Sequence, residues 1–228
     1  IKLVNNSSNQ GIVYSLNKAV DLAQGQYIAR MDADDVSNID RLSIQLDYLK
    51  SNNLDICGSW IRAFGSREKI IKYPETIVDV GFFTIFGSPM AHPTIFGLAH
   101  IFKKYKYRNV PAEDYDLWAR MLMDGVNIGN VPKSLLEYRV HDEQLTTDLT
   151  DIIESSIVIT KRYIQTYIKN ESLREKLDSF DCFMKGSHPL KDIKPISKKL
   201  CLLAQDKKVS KTMQCRALGI VYSRASSY

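Results

Sequence analysis

The run Tyr27-Ile28-Ala29-Arg30-Met31 is apolar on both faces except at Arg30, and it ends in three carboxylates within four residues, Asp32, Asp34 and Asp35. A short apolar run of this kind reads as a buried strand that delivers its acids to the edge of a sheet. Like charges a few ångströms apart repel, and burial raises each carboxylate's pKa further, so the cluster needs a partner. A divalent cation is one such partner. Turn or helix capping is the competing reading, because a lone D-x-D arises readily by chance. In open parallel sheets ligands bind outside the carboxyl ends of strands, which is where these aspartates fall. An all-oxygen ligand set favours Mg2+ or Mn2+ over softer metals.

The 228 residues suffice for one α/β domain with an appendage or for two small domains. With 44% hydrophobic and 25% charged residues, neither a disordered nor a fibrous class fits. No apolar run approaches the roughly 18 residues that suggest a membrane span, and no signal peptide is recognisable. Cys57, Cys182, Cys201 and Cys215 lack C-x-x-C spacing and read as reduced, packed thiols, so a cytoplasmic location is expected. The net charge of +5 is uneven: residues 1–150 carry 16 Lys+Arg against 18 Asp+Glu, and residues 151–228 carry 15 against 8. The basic part is the tail. Peripheral docking on an anionic surface such as the inner face of a membrane accounts for it, and so does a solvated basic face without a partner. Basic–aromatic interleaving of the kind used to stack on bases is missing, so nucleic acid is not expected as a partner.

Along the chain, Ile1-Lys2-Leu3-Val4 reads as a strand. Ile12, Leu16, Ala19, Val20 and Ala23 then recur at helical spacing and Gly25 supplies a stop. With Tyr27–Met31 this makes strand, helix, strand, which predicts two parallel strands. Asn38 is a candidate cap for a helix with Ile39, Leu42, Leu46 and Leu49 inward. Residues 54–64 read as a strand, 69–73 as its return, and Pro74-Glu75-Thr76 as the start of a helix ended by Gly87-Ser88-Pro89. Residues 90–96 are read as an edge strand or extended loop because of Pro93, and 98–110 as irregular. From Ala112 the pattern is helical with Asp114, Leu117, Trp118 and Met121 on one face, followed by short strands at 126–131 and 135–140. Beyond Asp148 helical periodicity dominates, with Ile153, Ile157, Ile164 and Ile168 in phase and a second helix-like stretch from Leu200. A domain boundary is drawn there, giving 1–148 and a helical basic extension over 149–228.

Other residues invite chemistry, each with an ordinary alternative. Glu113 and Asp114 complement a helix dipole, or supply a general base whose pKa is raised against Trp118. His92 and His141 are lone histidines, more often satisfied than functional. Arg41 and Arg139 suit phosphate or salt bridges to the aspartates equally well.

Taken together, Asn9-Gln10-Gly11, Asn17-Lys18-Ala19, the run Ala23–Asp35, Arg41-Leu42 with Gln45, His92-Pro93-Thr94, Ala112–Arg120 and Tyr138-Arg139-Val140-His141 resemble the centre of a family 2 glycosyltransferase, with the motifs in the family's order over roughly residues 1–145. The resemblance implies a GT-A fold: a mostly parallel, mixed central sheet flanked by helices. It also implies an inverting transfer of a sugar from a nucleoside-diphosphate sugar, expected to be a UDP-sugar, to a hydroxyl of a saccharide or lipid-linked acceptor. Cell-surface polysaccharide or glycolipid synthesis in bacteria is the expected setting. By position, Asp34 matches the ligand of Mn2+ or Mg2+, Asp32 the ribose or the metal shell, and His141 a late metal or diphosphate contact. Asp114, with Glu113 beside it, matches the catalytic base. Asn9, Gly11, Asn17 and Arg41 fall on the donor side, and His92 and Trp118 in the acceptor region. Family members usually begin with an additional strand-helix-strand unit carrying an aspartate for the nucleobase, so a further segment upstream of Ile1 is expected to complete the nucleotide pocket. A homodimer is one way to cover the sheet edge otherwise exposed. A metal-dependent nucleotidyltransferase and a non-enzymatic binding module are the alternatives.

Overall fold

A computed structural model describes residues 2–66, 68–140, 149–168 and 193–225. Its centre is a mixed sheet of six strands: β1 (Tyr27–Ala29), β2 (Val36–Ser37), β3 (Ile56–Gly65), β4 (Lys69–Ile71), β5 (Phe96–Leu98) and β6 (Ile128–Val140). The strand order is β1-β5-β3-β6-β2, with β4 beside the second half of β3. β3 and β6 run parallel over their full lengths, and the other ladders are antiparallel. The strand expected at residues 1–5 is not formed among the described residues, where the chain from Lys2 has no regular structure. β1 therefore has β5, antiparallel, as its ladder partner instead of a parallel first strand.

β3 alternates across the sheet with period two. Ile56 faces α5 (Glu113–Met123), α1 (Gly11–Leu22) and α4 (Ala99–Tyr105), in a core with Leu117, Trp118 and Met121. Cys57 faces α2 (Arg41–Ser51) with Leu49 and Phe96. The stretch read as two strands is one, because Pro132 and Lys133 fall at a register shift between Val131–Ser59 and Ser134–Trp60, where a missing N–H costs no ladder bond. The stretch read as an irregular basic segment contains α4, whose lysines lie outward while Ala99 and Phe102 are buried. Pro93 does not sit in an edge strand. It lies in a 3-10 turn, His92–Thr94, that leads into β5, an interior strand.

In α2 the buried face is rotated from the apolar one. Ile39 is 95% and Leu42 51% exposed, while Arg41 and Gln45 are buried. Gln45 Nε2 donates to Thr94 O at 2.8 Å, and Arg41 donates to Pro93 O at 3.1 Å and Arg30 O at 2.7 Å. These bonds staple the 92–94 turn and the end of β1 to one helix. Hydrogen bonding to otherwise orphaned carbonyls offsets the cost of burying both side chains.

α3 (Ile77–Phe83) starts where Thr76 accepts the N–H of Asp79 at 3.2 Å. The tail supplies α6 (Leu149–Tyr167), α7 (Ile193–Asp206) and α8 (Lys211–Ala225). Their apolar faces join α3 and α5 in one cluster that includes Phe82, Tyr115, Tyr163, Leu203 and Met213. At Gly81 a Cβ would come within 3.0 Å of the Tyr167 ring, so α3 and α6 approach as closely as they do because no side chain intervenes. Ile157 and Ile164 in α6, and Ile168 just after it, are buried as expected, whereas Ile153 is exposed. Among the described residues no helix is long and apolar enough to cross a membrane.

Candidate active site

A cleft of about 1220 Å³ opens where the end of β1, the 92–94 turn and the N-termini of α1 and α5 converge. Arg30 and Asp32 enter it from β1, His92 from the turn, Glu113 and Asp114 from α5, and Gly11 and Asn17 from α1. The sequence motifs, up to a hundred residues apart, meet here because β1 and β5 are neighbours and α5 packs across the same sheet face.

Arg30 and Asp32 form a bidentate pair, with Nη1–Oδ2 at 2.6 Å and Nη2–Oδ1 at 2.5 Å. The turn beyond is anchored to β6: Asp35 Oδ1 accepts the N–H of Arg139 at 3.0 Å, and Asp34 O accepts from Arg139 Nε, also at 3.0 Å. Asp35 is buried and Asp34 exposed. Burial raises the pKa of Asp35, partly offset by the Arg139 N–H, and the charges of Asp32 and Asp34 raise it further. Among the described residues Asp35 Oδ2 has no hydrogen-bond partner.

On the opposite wall Asp114 Oδ1 accepts the N–H of Tyr115 at 2.7 Å and Oδ2 accepts from Ser88 Oγ at 3.2 Å. Burial lifts its pKa above the ordinary aspartate value, although both hydrogen bonds and the charge of Arg30 pull the other way. Glu113 is also raised, by burial and then by the neighbouring Asp114. His92 Nε2 lies 2.9 Å from the Tyr107 hydroxyl and Nδ1 4.0 Å from Glu113 Oε1. Burial, aided by Arg30, pushes His92 down to about 3. The contact with Glu113 is therefore a polar contact of a neutral ring and not an ion pair.

Several sequence-predicted residues take supporting places. Trp118 is fully buried under His92, with ring centroids 6.1 Å apart, and does not line the cleft. Arg41 is likewise absent from the lining, its Nη groups spent on the Arg30 and Pro93 carbonyls. Asn17 lines the cleft but clasps Tyr107 through two hydrogen bonds of 2.9 Å to its backbone N–H and carbonyl. Asn9 Oδ1 accepts the N–H of Gly11 at 3.0 Å, and Gly11, with φ of +80°, turns the chain into α1. His141 lies outside the described residues. Sequence reasoning missed Ser88, seen only as a helix breaker, and Tyr107, embedded in a basic stretch with no periodicity. No short motif marks either.

Residues 1–113 match the model of Glycosyl transferase family 2. Over those residues the chain is similar to glycosyl transferase family 2. It is 38% identical over 137 residues to the O-antigen biosynthesis glycosyltransferase WbnJ of Escherichia coli, which covers 57% of this chain and 54% of that one. The chain spans about half the length of the curated relatives it matches. Among solved structures it is similar to S. aureus TarS 1-349 in complex with UDP-GlcNAc, with TM-score 0.58 and 15% identity, over 94% of this chain and 62% of that one. It is also similar to the mannosyltransferase PcManGT from Pyrobaculum calidifontis in complex with GDP-Man and Mn2+, with TM-score 0.55 and 13% identity, over 99% and 68%. At such identities the likeness is one of fold: a GT-A-like sheet flanked by helices.

Among the described residues no three His, Cys, Asp or Glu side chains converge as a metal cage. A cation that shares its shell with bound phosphate does not need one. Mn2+ or Mg2+ is commonly held by one or two carboxylates, with substrate phosphates and water completing the shell. Asp32 lines the cleft with both oxygens paired to Arg30, and Asp34 lies exposed on the turn tied to β6, outside the lining; both are hard oxygen donors of the kind such a cation takes.

Proposed function

We propose that this chain transfers a sugar, with inversion, from a nucleoside-diphosphate sugar to an acceptor hydroxyl. The observation that carries the reading is that Asp32 and Asp114, from different elements, line one cleft. Asp32 and Asp34 would hold Mn2+ or Mg2+, which when bound would neutralise charge on the leaving diphosphate. Arg30 and the positive end of the α1 dipole add positive potential on the same side.

Asp114, with a raised pKa, accepts the proton of the acceptor hydroxyl as that oxygen bonds to the anomeric carbon. The bond from that carbon to the diphosphate breaks on the far face, so the centre inverts and no enzyme nucleophile is needed. Neutral His92, held by Tyr107, forms a fixed wall beside the base. A UDP-sugar donor is supported by the fold shared with TarS, solved with UDP-GlcNAc, and Mn2+ by the mannosyltransferase solved with GDP-Man and Mn2+. The likeness to WbnJ supports work on a cell-surface polysaccharide or glycolipid.

The test is incubation with radiolabelled nucleotide-sugars and Mn2+. Release of free nucleoside diphosphate supports transfer; release of pyrophosphate means nucleotidyl transfer instead. Calorimetry with UDP and Mn2+ that gives heat without any turnover means a binding module.

The exposed lysines Lys161, Lys198, Lys208 and Lys211 support peripheral docking of the tail on an anionic membrane face. Because α6–α8 share a core with α3 and α5, the appropriate test is charge reversal of these lysines rather than removal of the tail. Unchanged association with vesicles containing phosphatidylglycerol would sink the docking idea.

A further inference from the structure

Helix α6 belongs to the tail, outside the 113 residues that match the family model, yet it reaches the cleft. Ile152 lines the same cavity as Val110, Pro111, Glu113 and Asp114, and it is the one α6 residue among the described residues to do so. Its other side packs on the cluster shared by α3, α5 and the tail helices. The cleft lining is therefore mixed, with Ile152, Met90 and Ile71 apolar among Arg30, Asp32, Glu113 and Asp114.

What fixes Ile152 lies further along the helix. Arg162 Nη2 donates to Asp116 Oδ1 at 2.6 Å, the Thr160 hydroxyl meets Tyr115 Oη at 2.8 Å, and Tyr163 Oη donates to Gly81 O at 2.9 Å. Asp116 and Tyr115 belong to α5, the helix that carries Asp114. A rigid α-helix transmits that attachment over the ten residues back to Ile152, roughly 15 Å along the axis. Ile152 and Asp114 are thus set relative to each other by one helix-to-helix junction.

We propose that Ile152 is a specificity-determining contact for the acceptor, taking an apolar group beside the reacting hydroxyl, and that the Asp116–Arg162 pair is the strut that positions it. This rests on the glycosyl-transfer reading of the cleft. An apolar group of the acceptor gains by excluding water from Ile152, which a sugar hydroxyl at the same place does not.

The chain, labelled with 13C at isoleucine δ1 methyls and with Ile152 assigned through Ile152→Val, is titrated with Mg2+–UDP. It is then titrated with octyl β-D-glucoside, octyl β-D-galactoside and octyl β-D-N-acetylglucosaminide, each against its methyl counterpart. The Ile152 methyl shifts and saturates with at least one octyl glycoside and not with the methyl one. Ile152→Ala weakens that binding about five-fold, as expected for losing part of an apolar contact. Arg162→Gln displaces the Ile152 resonance and weakens octyl binding, and Arg162→Lys, which keeps the charge opposite Asp116, restores both in large part. If Mg2+–UDP shifts resonances while no octyl glycoside moves Ile152, the inference is overturned and the donor reading stands. If Arg162→Gln leaves the Ile152 resonance and the octyl affinity unchanged, the strut is overturned. If Mg2+–UDP shifts nothing, the donor reading fails and takes the inference with it.

Discussion

Ser88 Oγ donates to Asp114 Oδ2 at 3.2 Å, joining the loop after α3 to the first turn of α5. The other oxygen of Asp114 is taken by the N–H of Tyr115. The carboxylate is thus oriented by one contact within its helix and one from outside it.

Asp114→Asn is expected to keep donor binding and abolish transfer, since an amide cannot accept the acceptor's proton. Ser88→Ala leaves the base but loosens it, lowering kcat about five-fold, the equivalent of about 1 kcal/mol. Burial raises the pKa of Asp114 and the Ser88 bond lowers it. The acidic limb of kcat/KM therefore lies above the ordinary carboxylate range, and Ser88→Ala moves it higher still. A pH–rate profile with an unmoved limb would show that Ser88 does not act on the base.

Asp34→Ala is expected to remove metal-dependent donor binding, because on the proposed reading its exposed carboxylate, on the β6-anchored turn, would hold the hard cation. Calorimetric titration with UDP and Mn2+ reads this directly. Asp34→Ala that binds Mn2+–UDP as the unaltered chain does would move the metal elsewhere.

His92 gives a prediction about stability and pH. Folded, it stays neutral down to about 3; unfolded, it takes a proton near 6.5. Between those values the unfolded chain binds more protons, so stability rises with pH across the window and is lost as pH falls below about 6.5. His92→Gln, which retains a polar contact toward Tyr107, is expected to flatten the dependence of Tm on pH between 6.5 and 4.5. An unchanged slope would mean that other groups carry the acid sensitivity.

Much of this architecture is legible in the sequence, and what is not has identifiable causes. β3, the start of α3 at Thr76 and the extent of α5 follow from apolar pattern and capping chemistry. The α2 face does not, because Arg41 and Gln45 are buried for the sake of carbonyls at Pro93 and Thr94, some fifty residues on. Periodicity reports which residues are apolar, not which polar ones have distant partners. In the same way, Trp118 reads as a cleft residue from its place beside Asp114, yet α5 is buried from Tyr115 to Met121 and only its N-terminus reaches the cleft. Ser88 and Tyr107 act through tertiary contacts that no spacing rule encodes.

Asp116 sits at the centre of a three-element junction. Arg120 Nε reaches its Oδ2 at 2.7 Å and Arg162 its Oδ1 at 2.6 Å, and Arg120 also donates to the carbonyls of Tyr105 and Lys106 at the end of α4. Burial alone would raise the pKa of Asp116, but the hydrogen bonds and charges of Arg162 and Arg120 outweigh it and hold the group below 3.8. A carboxylate depressed in this way stabilises the fold above its unfolded pKa, and that contribution is lost as pH falls through the folded value. Asp116→Ala strands the buried Arg120 charge and is expected to cost roughly 3 to 5 kcal/mol at neutral pH. In acid, below the ordinary aspartate value, the gap between variant and unaltered chain narrows as the aspartate takes up its proton. Urea unfolding at neutral and acid pH measures this, and a difference that stays constant or widens toward acid would show that Asp116 contributes packing and not charge.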